Sequence, residues 1–451
     1  MAIQEKNYEI DMTTGPLLPS ILKFTIPLIF SGILQLLFNA ADIIVVGQFS
    51  GPNSIAAVGS TSAVINLLIS AFMGLAVGVN VLAARYFATK DEIRMQKTVH
   101  TSVTLSFLLG IVLAVIGILA ARPILAIMGT PVDVIDLAEL YMRIYFAGMP
   151  VIMLYNFGAG ILRAVGDTKR PLYYLTAAGI INILLNLVFV ILFHMDVAGV
   201  ALATILSEAF SALLVCRCLM RIRSFYRLDP HKLGIDRKTA LSIAKIGLPA
   251  GLQGAIFSLS NTLIQSSVNS FGSTFMAGNA AAQNLEGFVY IAMNSVYQGC
   301  ISFTSANYGV RNFRRIRKIL LECLLVVTVI GLTLGGGFYL AGHYLLGIYT
   351  SDPATIGYGL IRMRYICIPY FLCGIMDTLC GSIRGLGRGV LPMIVSLIGA
   401  CAFRIVWIFT VFQMIHTPNI LYNSYPISWL LTAITHFICF MIIIKKEERG
   451  I

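Results

Sequence analysis

Charge is what this sequence has least of. Only 12% of its 451 residues are Asp, Glu, Lys or Arg, against about 25% in a soluble protein, and 58% are hydrophobic. The shortage excludes a water-soluble globular chain. Long polar connections are as scarce: Arg221–Thr239 is the one extended interruption. Sequence signatures of chemistry are missing too. There is no H-E-x-x-H, no G-x-S-x-G, no paired D-x-x-D and no G-x-x-x-x-G-K-[ST], so zinc proteolysis, nucleophile-elbow hydrolysis and ATP hydrolysis within this chain are not expected. The nine cysteines are an odd number, all in or at the edge of apolar runs. Cys216-x-Cys218 lacks the second pair that a zinc site needs, and no disulfide framework is expected. The opening MAIQEKNYEIDMTTGP is polar and mixed in charge, unlike a cleaved signal peptide.

What is present is a succession of apolar runs. About 20 such residues span a bilayer as a helix. Twelve runs qualify, at 21–48, 56–84, 100–121, 138–161, 172–193, 198–220, 243–269, 277–306, 317–346, 357–381, 390–414 and 427–444. Runs this long exclude barrel strands of about 10 residues, so the expected fold is an all-α polytopic membrane protein. The net charge of +12 does not indicate nucleic acid, because its placement is one-sided. The chain ends and every second connection hold 27 of the 32 Lys and Arg residues, beginning with Lys6 and Lys23. This positive-inside pattern predicts a multi-pass cell-membrane protein with both termini cytoplasmic.

The polar interruption splits the runs six and six, and the halves resemble each other. Pro27, Gly32, Asn39 and Tyr86 fall on Pro249, Gly254, Asn261 and Tyr308, each 222 residues on. Gly160, Arg163, Gly166 and Pro171 fall on Gly381, Arg384, Gly387 and Pro392, each 221 on. A near-constant offset over so long a stretch predicts a duplicated six-helix unit. The expected organisation is an N-terminal lobe at 1–220, a cytoplasmic linker at 221–242 and a C-terminal lobe at 243–451. Six is even, so the two bundles are expected to be parallel, related by a pseudo-two-fold along the membrane normal, with the substrate path between them. Pro27 and Pro249, near the start of each lobe's first helix, are candidate bending points.

The rarest feature is an acid inside an apolar run. A carboxylate at mid-membrane costs about 2.5–3.5 kcal/mol on insertion scales, so it usually faces a bundle interior or a wet cavity. Asp42 is such an acid, and its repeat partner is Ile264, so the duplicated unit does not need it as scaffold. Low dielectric penalises the charged form, and a proton or small cation is expected on it. Helical spacing places Asn182 and Asn186 along one edge of the fifth span, with Thr204 and Glu208 about 9 and 15 Å into the sixth. By depth, these four and Asp42 are expected to share one outer-half cavity of the first lobe. Candidate substrate-cavity residues are Asn39, Tyr155 and Asn156 in the first half, and Gln253, Asn261, Gln265, Glu286, Asp377 and Arg404 in the second. Glu286 and Arg404 lie at one depth and are expected to pair or to gate substrate. His343 and His436 read as interfacial.

The order and spacing of these motifs resemble the multidrug and toxic compound extrusion (MATE) antiporters of the multidrug/oligosaccharidyl-lipid/polysaccharide flippase superfamily. The residues that carry the resemblance are the first-helix Pro27, N-x-x-D with G and AA-x-G around Asn39–Gly59, IL-R-x-x-GDTK-x-P at Ile161–Pro171 and GVA-x-AT near Gly199–Thr204. The resemblance covers essentially the whole chain. It implies a carboxylate on the first helix as proton or cation site, helped by Asn and Asp on the fifth and Thr on the sixth. Asp42, Asn182 and Thr204 match, whereas Asn186 stands where that branch has Asp; with Glu208 to supply the missing charge, these five are the candidate ion- or proton-coupling group that the resemblance implies. Asp377 resembles a cavity acid that another branch carries on its tenth helix, but this chain's seventh span offers no matching Glu.

The resulting expectation is a secondary active multidrug efflux antiporter, not an enzyme. It would exchange H⁺ or Na⁺ for cationic or aromatic organic compounds by alternating access. Its expected partners are small-molecule organic cations and the lipid bilayer, with no nucleic acid, no metal and no cofactor beyond the coupling ion, and a monomer is expected. The alternatives are a lipid-linked precursor flippase of the same superfamily, favoured by many Arg at mid-membrane, and a polytopic membrane enzyme.

Overall fold

Each apolar run becomes helix, because hydrocarbon offers no partner to a backbone N–H or C=O and only internal bonding satisfies them. The computed structural model describes residues 8–449, the side chains of Pro52 and Ala63 excepted. Lys6 of the charge pattern therefore lies outside the described residues. The helices are α1 (Leu17–Phe49), α2 (Pro52–Ala88), α3 (Glu92–Ile127), α4 (Val132–Ala147), α5 (Met149–Ala164), α6 (Lys169–Asn186), α7 (Asp196–Arg221), α8 (Arg237–Asn269) and α9 (Ser273–Gly309). They continue with α10 (Phe313–Leu340), α11 (Gly342–Gly347), α12 (Pro353–Ile366), α13 (Tyr370–Gly385), α14 (Val390–Ser396), α15 (Phe403–Phe409), α16 (Val411–Met414) and α17 (Pro418–Arg449). No strand occurs among the described residues.

Among the described residues, nine helical stretches are long and apolar enough to cross a membrane, and two more crossings are bent pairs: α4 with α5 at 47° and α12 with α13 at 44°. The eighth run is the 37-residue α9, whose many Ser, Asn and Gly residues hold its hydropathy down. Single π-helical turns at Leu187–Leu192 and Leu397–Ala402 extend α6 and join α14 to α15. Such turns widen a helix locally and recur at functional sites.

The duplication is written into the backbone. Gly51 and Gly272 have φ of 92° and 93°, Lys90 and Arg311 have 53° and 56°, and Gly166 and Gly387 have 88° and 84°. Each pair is 221 residues apart, as are Gly148 and Pro369 at the two bends. Asp91 and Asn312, equally spaced, cap α3 and α10 by accepting the N–H of Arg94 and of Arg315. The glycine in GDTK has a visible reason. At Gly166 the chain turns through positive φ, and a Cβ there would meet the Ile10 backbone at 2.5 Å.

Packing gathers the chain into two units. Unit 1 holds the residues up to Asp11 and Phe30–Gly251; unit 2 holds Met12–Ile29 and the residues from Leu252 onward. The helices that carry Pro27 and Pro249 are thus each shared between units, and each changes unit just after its proline. Proline leaves the carbonyl four residues earlier, Lys23 or Lys245, without its helical donor. Within unit 2, the start of α1 packs Phe24 edge-on to Phe303 at 5.6 Å. Within unit 1, the start of α8 crosses α2 backbone to backbone: a Cβ at Gly74 would run into Gly251, and one at Gly78 into Ile243. The Gly74-x-x-x-Gly78 spacing, weak as a sequence signal, is here a close helix crossing.

The polar segment between α7 and α8 is docked on unit 1. The Asp229 N–H donates to His100 Nε2 and the Asp236 N–H to Thr101 Oγ1, both at 3.0 Å. Tyr226, fully buried, donates its hydroxyl to Glu9 at 2.6 Å. Asp236 caps α8, accepting from the hydroxyl and N–H of Thr239 at 2.8 and 3.0 Å and from Lys97 at 3.1 Å. The Thr239 hydroxyl first, then its N–H, then Lys97 bring the Asp236 carboxyl down from the ordinary 3.8 to about 2. A depressed folded value means the cap's contribution is complete above the ordinary value and is lost as pH falls from about 4 towards about 2. Asp236→Asn is therefore expected to lower the unfolding temperature at pH 6 and to converge with the parent near pH 2. A difference that persists unchanged at pH 2 would exclude the carboxylate as its source.

Candidate functional site

In unit 1, the carboxylate of Asp42 sits about 10 Å from the end of α1 and is only 9% exposed. Two helices bring neutral partners to it. Asn186, on the last turn of α6 before the π-helical turn, donates from Nδ2 to Asp42 Oδ1 at 2.5 Å and to Asn182 Oδ1 at 3.2 Å. Thr204 on α7 donates to Asp42 Oδ2 at 3.3 Å or to the Val200 carbonyl at 3.0 Å, and it accepts from Asn182 Nδ2 at 3.5 Å. The amide orientations follow from this network. Asn186 Oδ1 remains buried with no hydrogen-bond partner. A carboxylate held only by neutral donors, beside an acceptor that has nothing to accept, is chemically a place for a proton or a small oxygen-seeking cation.

Four of the five residues expected to act together, Asp42, Asn182, Asn186 and Thr204, do meet. Glu208 stands one turn further along α7 and makes no hydrogen bond to them; its Oε2 is buried and unpartnered. Of the expected cavity residues in this half, Tyr155 is buried in the unit 1 core. Asn156 bonds back to the Ile152 carbonyl of its own helix at 2.8 Å, and Asn39 is exposed. None of these three contacts the Asp42 group among the described hydrogen bonds.

In unit 2, the expected pairing of Glu286 with Arg404 does not form. Glu286 is held bidentately by Arg362, with Nε to Oε1 at 2.8 Å and Nη2 to Oε2 at 2.7 Å. Arg362 Nη1 also donates to Asn279 Oδ1 at 2.8 Å, which accepts the Tyr422 hydroxyl as well. The partners are 4% and 6% exposed. Equal depth misled because depth ignores azimuth: the face of α9 bearing Glu286 turns towards α12. Arg404 instead donates to Ser428 at 2.9 Å and lies over the Tyr425 ring at 4.2 Å. Asp377 is within electrostatic range of Arg384 and Arg404 but forms no ion pair among the described residues. Gln253 accepts from Arg384 Nη2 at 2.7 Å, and Tyr297 takes Nη1 of the same guanidinium.

Asn261, Gln265 and Glu286 do share a hollow. A cavity of about 250 Å³ opens in unit 2 between α8, α9, α12, α13 and α17, walled also by Tyr290, Arg362, Tyr370, Tyr425 and Trp429. Ile264, the repeat partner of Asp42, lines it too. Gln253, Asp377 and Arg404 are not on its wall. Sequence reasoning missed Arg362 although a signal existed: it is one of five basic residues outside the one-sided pattern and lies inside the run 357–381. The aromatic walls carried no such signal, since Tyr and Trp are common near span ends. His436, expected at an interface, is instead fully buried, 3.3 Å from the Pro392 carbonyl and 3.5 Å from Ser396 Oγ.

The family model MatE matches residues 27–188 and again 249–410, so both halves and both groups of residues fall largely within it. The chain is 29% identical to "Probable multidrug resistance protein YoeA" of Bacillus subtilis, over 83% of this chain and 82% of that protein. It is 21% identical to "Multidrug export protein MepA" of Staphylococcus aureus over 83% of each. The fold is similar to that of a multidrug resistance MATE family transporter of the MOP superfamily in its outward-facing conformation, with TM-score 0.90, 22% identity and 98% of both chains covered.

Proposed function

The chain belongs to the MatE family, a family of membrane transporters and not of enzymes, and from that premise we propose that it exports drug-like organic compounds in exchange for H⁺ or Na⁺. Its place is a membrane crossed many times, with both termini on the cytoplasmic side by the one-sidedness of Lys and Arg. The proposed coupling site is Asp42 with Asn182, Asn186 and Thr204. One observation carries this reading: the only charge in the cluster is the buried Asp42 carboxylate, and beside it Asn186 Oδ1 is an acceptor without a donor. An incoming cation would use both; a proton would neutralise the carboxylate. Either event changes what α1 prefers to pack against, and α1 is the helix that changes unit after Pro27. In this reading, that link is how loading the site would drive alternating access.

Organic cations and aromatic compounds are the cargo expected from the resemblance. The multidrug names of the YoeA and MepA relatives support a drug-like cargo. The flippase alternative asks for many free guanidinium groups at mid-membrane. In unit 2, Arg362 is neutralised by Glu286, Arg384 donates to Tyr297 and Gln253, and Arg404 donates to Ser428, so the buried guanidinium groups there are few and each is already engaged. The test is efflux of a fluorescent drug by purified protein in liposomes, under a pH gradient and a Na⁺ gradient applied separately. Efflux driven by at least one is expected. Efflux indifferent to both would remove ion exchange from the account.

A further inference from the structure

The Asp42 cluster of unit 1 and the interior of unit 2 around its cavity differ in their buried charge. The Asp42 cluster of unit 1 has a carboxylate and no cation among its hydrogen-bond partners. The interior of unit 2 around its cavity has three guanidinium groups, Arg362, Arg384 and Arg404, against two carboxylates, Glu286 and Asp377. Arg362 and Glu286 cancel through two charge-assisted bonds. Asp377 is shared over distance by Arg384 and Arg404. One positive charge is left over.

Arg384 and Arg404 share that surplus, and Arg404 is the one that lies over rings of the cavity wall. It is 3% exposed. Its Nε donates to Ser428, a neutral hydroxyl, and its Nη2 is buried with no partner. No carboxylate forms an ion pair with it among the described residues. The faces of Tyr425 and Trp429, at 4.2 and 5.6 Å, partly replace its lost hydration. These two rings also wall the cavity, where Tyr370 lies against Trp429 at 5.4 Å and 30°. A guanidinium desolvated without a counter-charge is costly, and an anion brought near it recovers part of that cost. The cavity beside it is about 250 Å³, whereas about 150 Å³ suffices for benzene. An organic cation in the same space would meet the surplus charge as repulsion.

We infer that this cavity is a binding site for planar aromatic carboxylates, with the rings of Tyr370, Tyr425 and Trp429 receiving the aromatic body and Arg404, off the wall but over the Tyr425 and Trp429 rings, supplying a through-space attraction for the anion. The inference names a cargo class for the transport reading and rests on that reading only for the step from binding to export.

The protein has two tryptophans, and one of them, Trp429, is in the cavity wall. Trp407→Phe leaves Trp429 as the single reporter, at the cost of one hydrogen bond to the Ile420 carbonyl. In detergent, with no gradient, its fluorescence is titrated with three quenchers of one shape: para-nitrobenzoate, para-nitrobenzyl alcohol and para-nitrobenzylammonium. Saturable quenching by the carboxylate is expected, at least about tenfold tighter than by the alcohol, with the ammonium weakest. Arg404→Gln in that background should erase the carboxylate's advantage and leave the alcohol unchanged. Asp377→Asn, which removes a competing anion and keeps Arg404, should tighten the carboxylate several-fold, and it decides the matter if Arg404→Gln does not fold. An ammonium that binds as tightly as the carboxylate, or a carboxylate indifferent to Arg404→Gln, or one weakened or unmoved by Asp377→Asn, overturns the inference. Because no gradient is applied, any of these results leaves ion-coupled export standing, and a failure of export in liposomes leaves the binding result standing.

Discussion

Asp42→Asn should reduce gradient-driven drug efflux to the rate of protein-free liposomes while leaving the protein folded. The substitution keeps the shape of the side chain and removes the one charge in its cluster. Asn186 Nδ2 can still donate to the amide oxygen, and the Thr204 hydroxyl, which can turn its own proton to the Val200 carbonyl, can accept from the new amide NH2, so packing survives and what disappears is the capacity to take up a proton or a cation. Efflux should be measured under each ion gradient, alongside thermal unfolding to show that the fold is intact. Undiminished gradient-dependent efflux would take Asp42 out of the mechanism. Asn186→Asp is the informative companion. It puts a second carboxylate in direct contact with the first, and two like charges at that separation require a proton or a cation between them. The variant should export with a stronger dependence on the coupling ion; a variant that behaves like the parent would show that Asn186 does not belong to the site.

The second large effect lies in unit 2. Arg362→Met is expected to destabilise the protein by about 3–5 kcal/mol, because it strands a buried carboxylate whose two oxygens were both satisfied by one guanidinium. Glu286→Met in the same chain should restore most of that loss, since an apolar pair of similar volume leaves nothing uncompensated. Thermal unfolding in detergent of both single variants and the double variant measures the coupling. A double variant no more stable than Arg362→Met would mean that the pair is not what holds α9 to α12.

Particular residues show how far sequence reaches in such a chain. The 221-residue offset was readable because glycines and prolines sit where the backbone demands them. Gly166 and Gly387 take the same positive φ at the same turn, and no other residue type does that cheaply. Asp42, Asn182, Asn186 and Thr204 were readable as a group because helical period and rise put them at a shared depth and the resemblance to MATE antiporters joined their helices. Glu286 was mispaired because period and rise do not say which neighbouring helix a face meets. Arg362 and Arg404 occur in the same half at comparable depth, and only the azimuths of α9, α12 and α15 separate them. His436 was misplaced for a related reason: nearness to a helix end says nothing about what packs over it.

Scarcity of charge, the length of the apolar runs and the one-sided Lys and Arg determined by themselves that this is a helical membrane protein made of two like halves. These are local properties, set by the cost of bare backbone and bare charge in hydrocarbon, and they need no knowledge of neighbours. Which acid meets which base was decided only when the helices packed. So were the transfer of α1 and α8 between units after their prolines and the surplus of positive charge beside the cavity of unit 2. Those outcomes depend on contacts between residues far apart in the chain, where side-chain direction, rather than position along the helix, sets the energy.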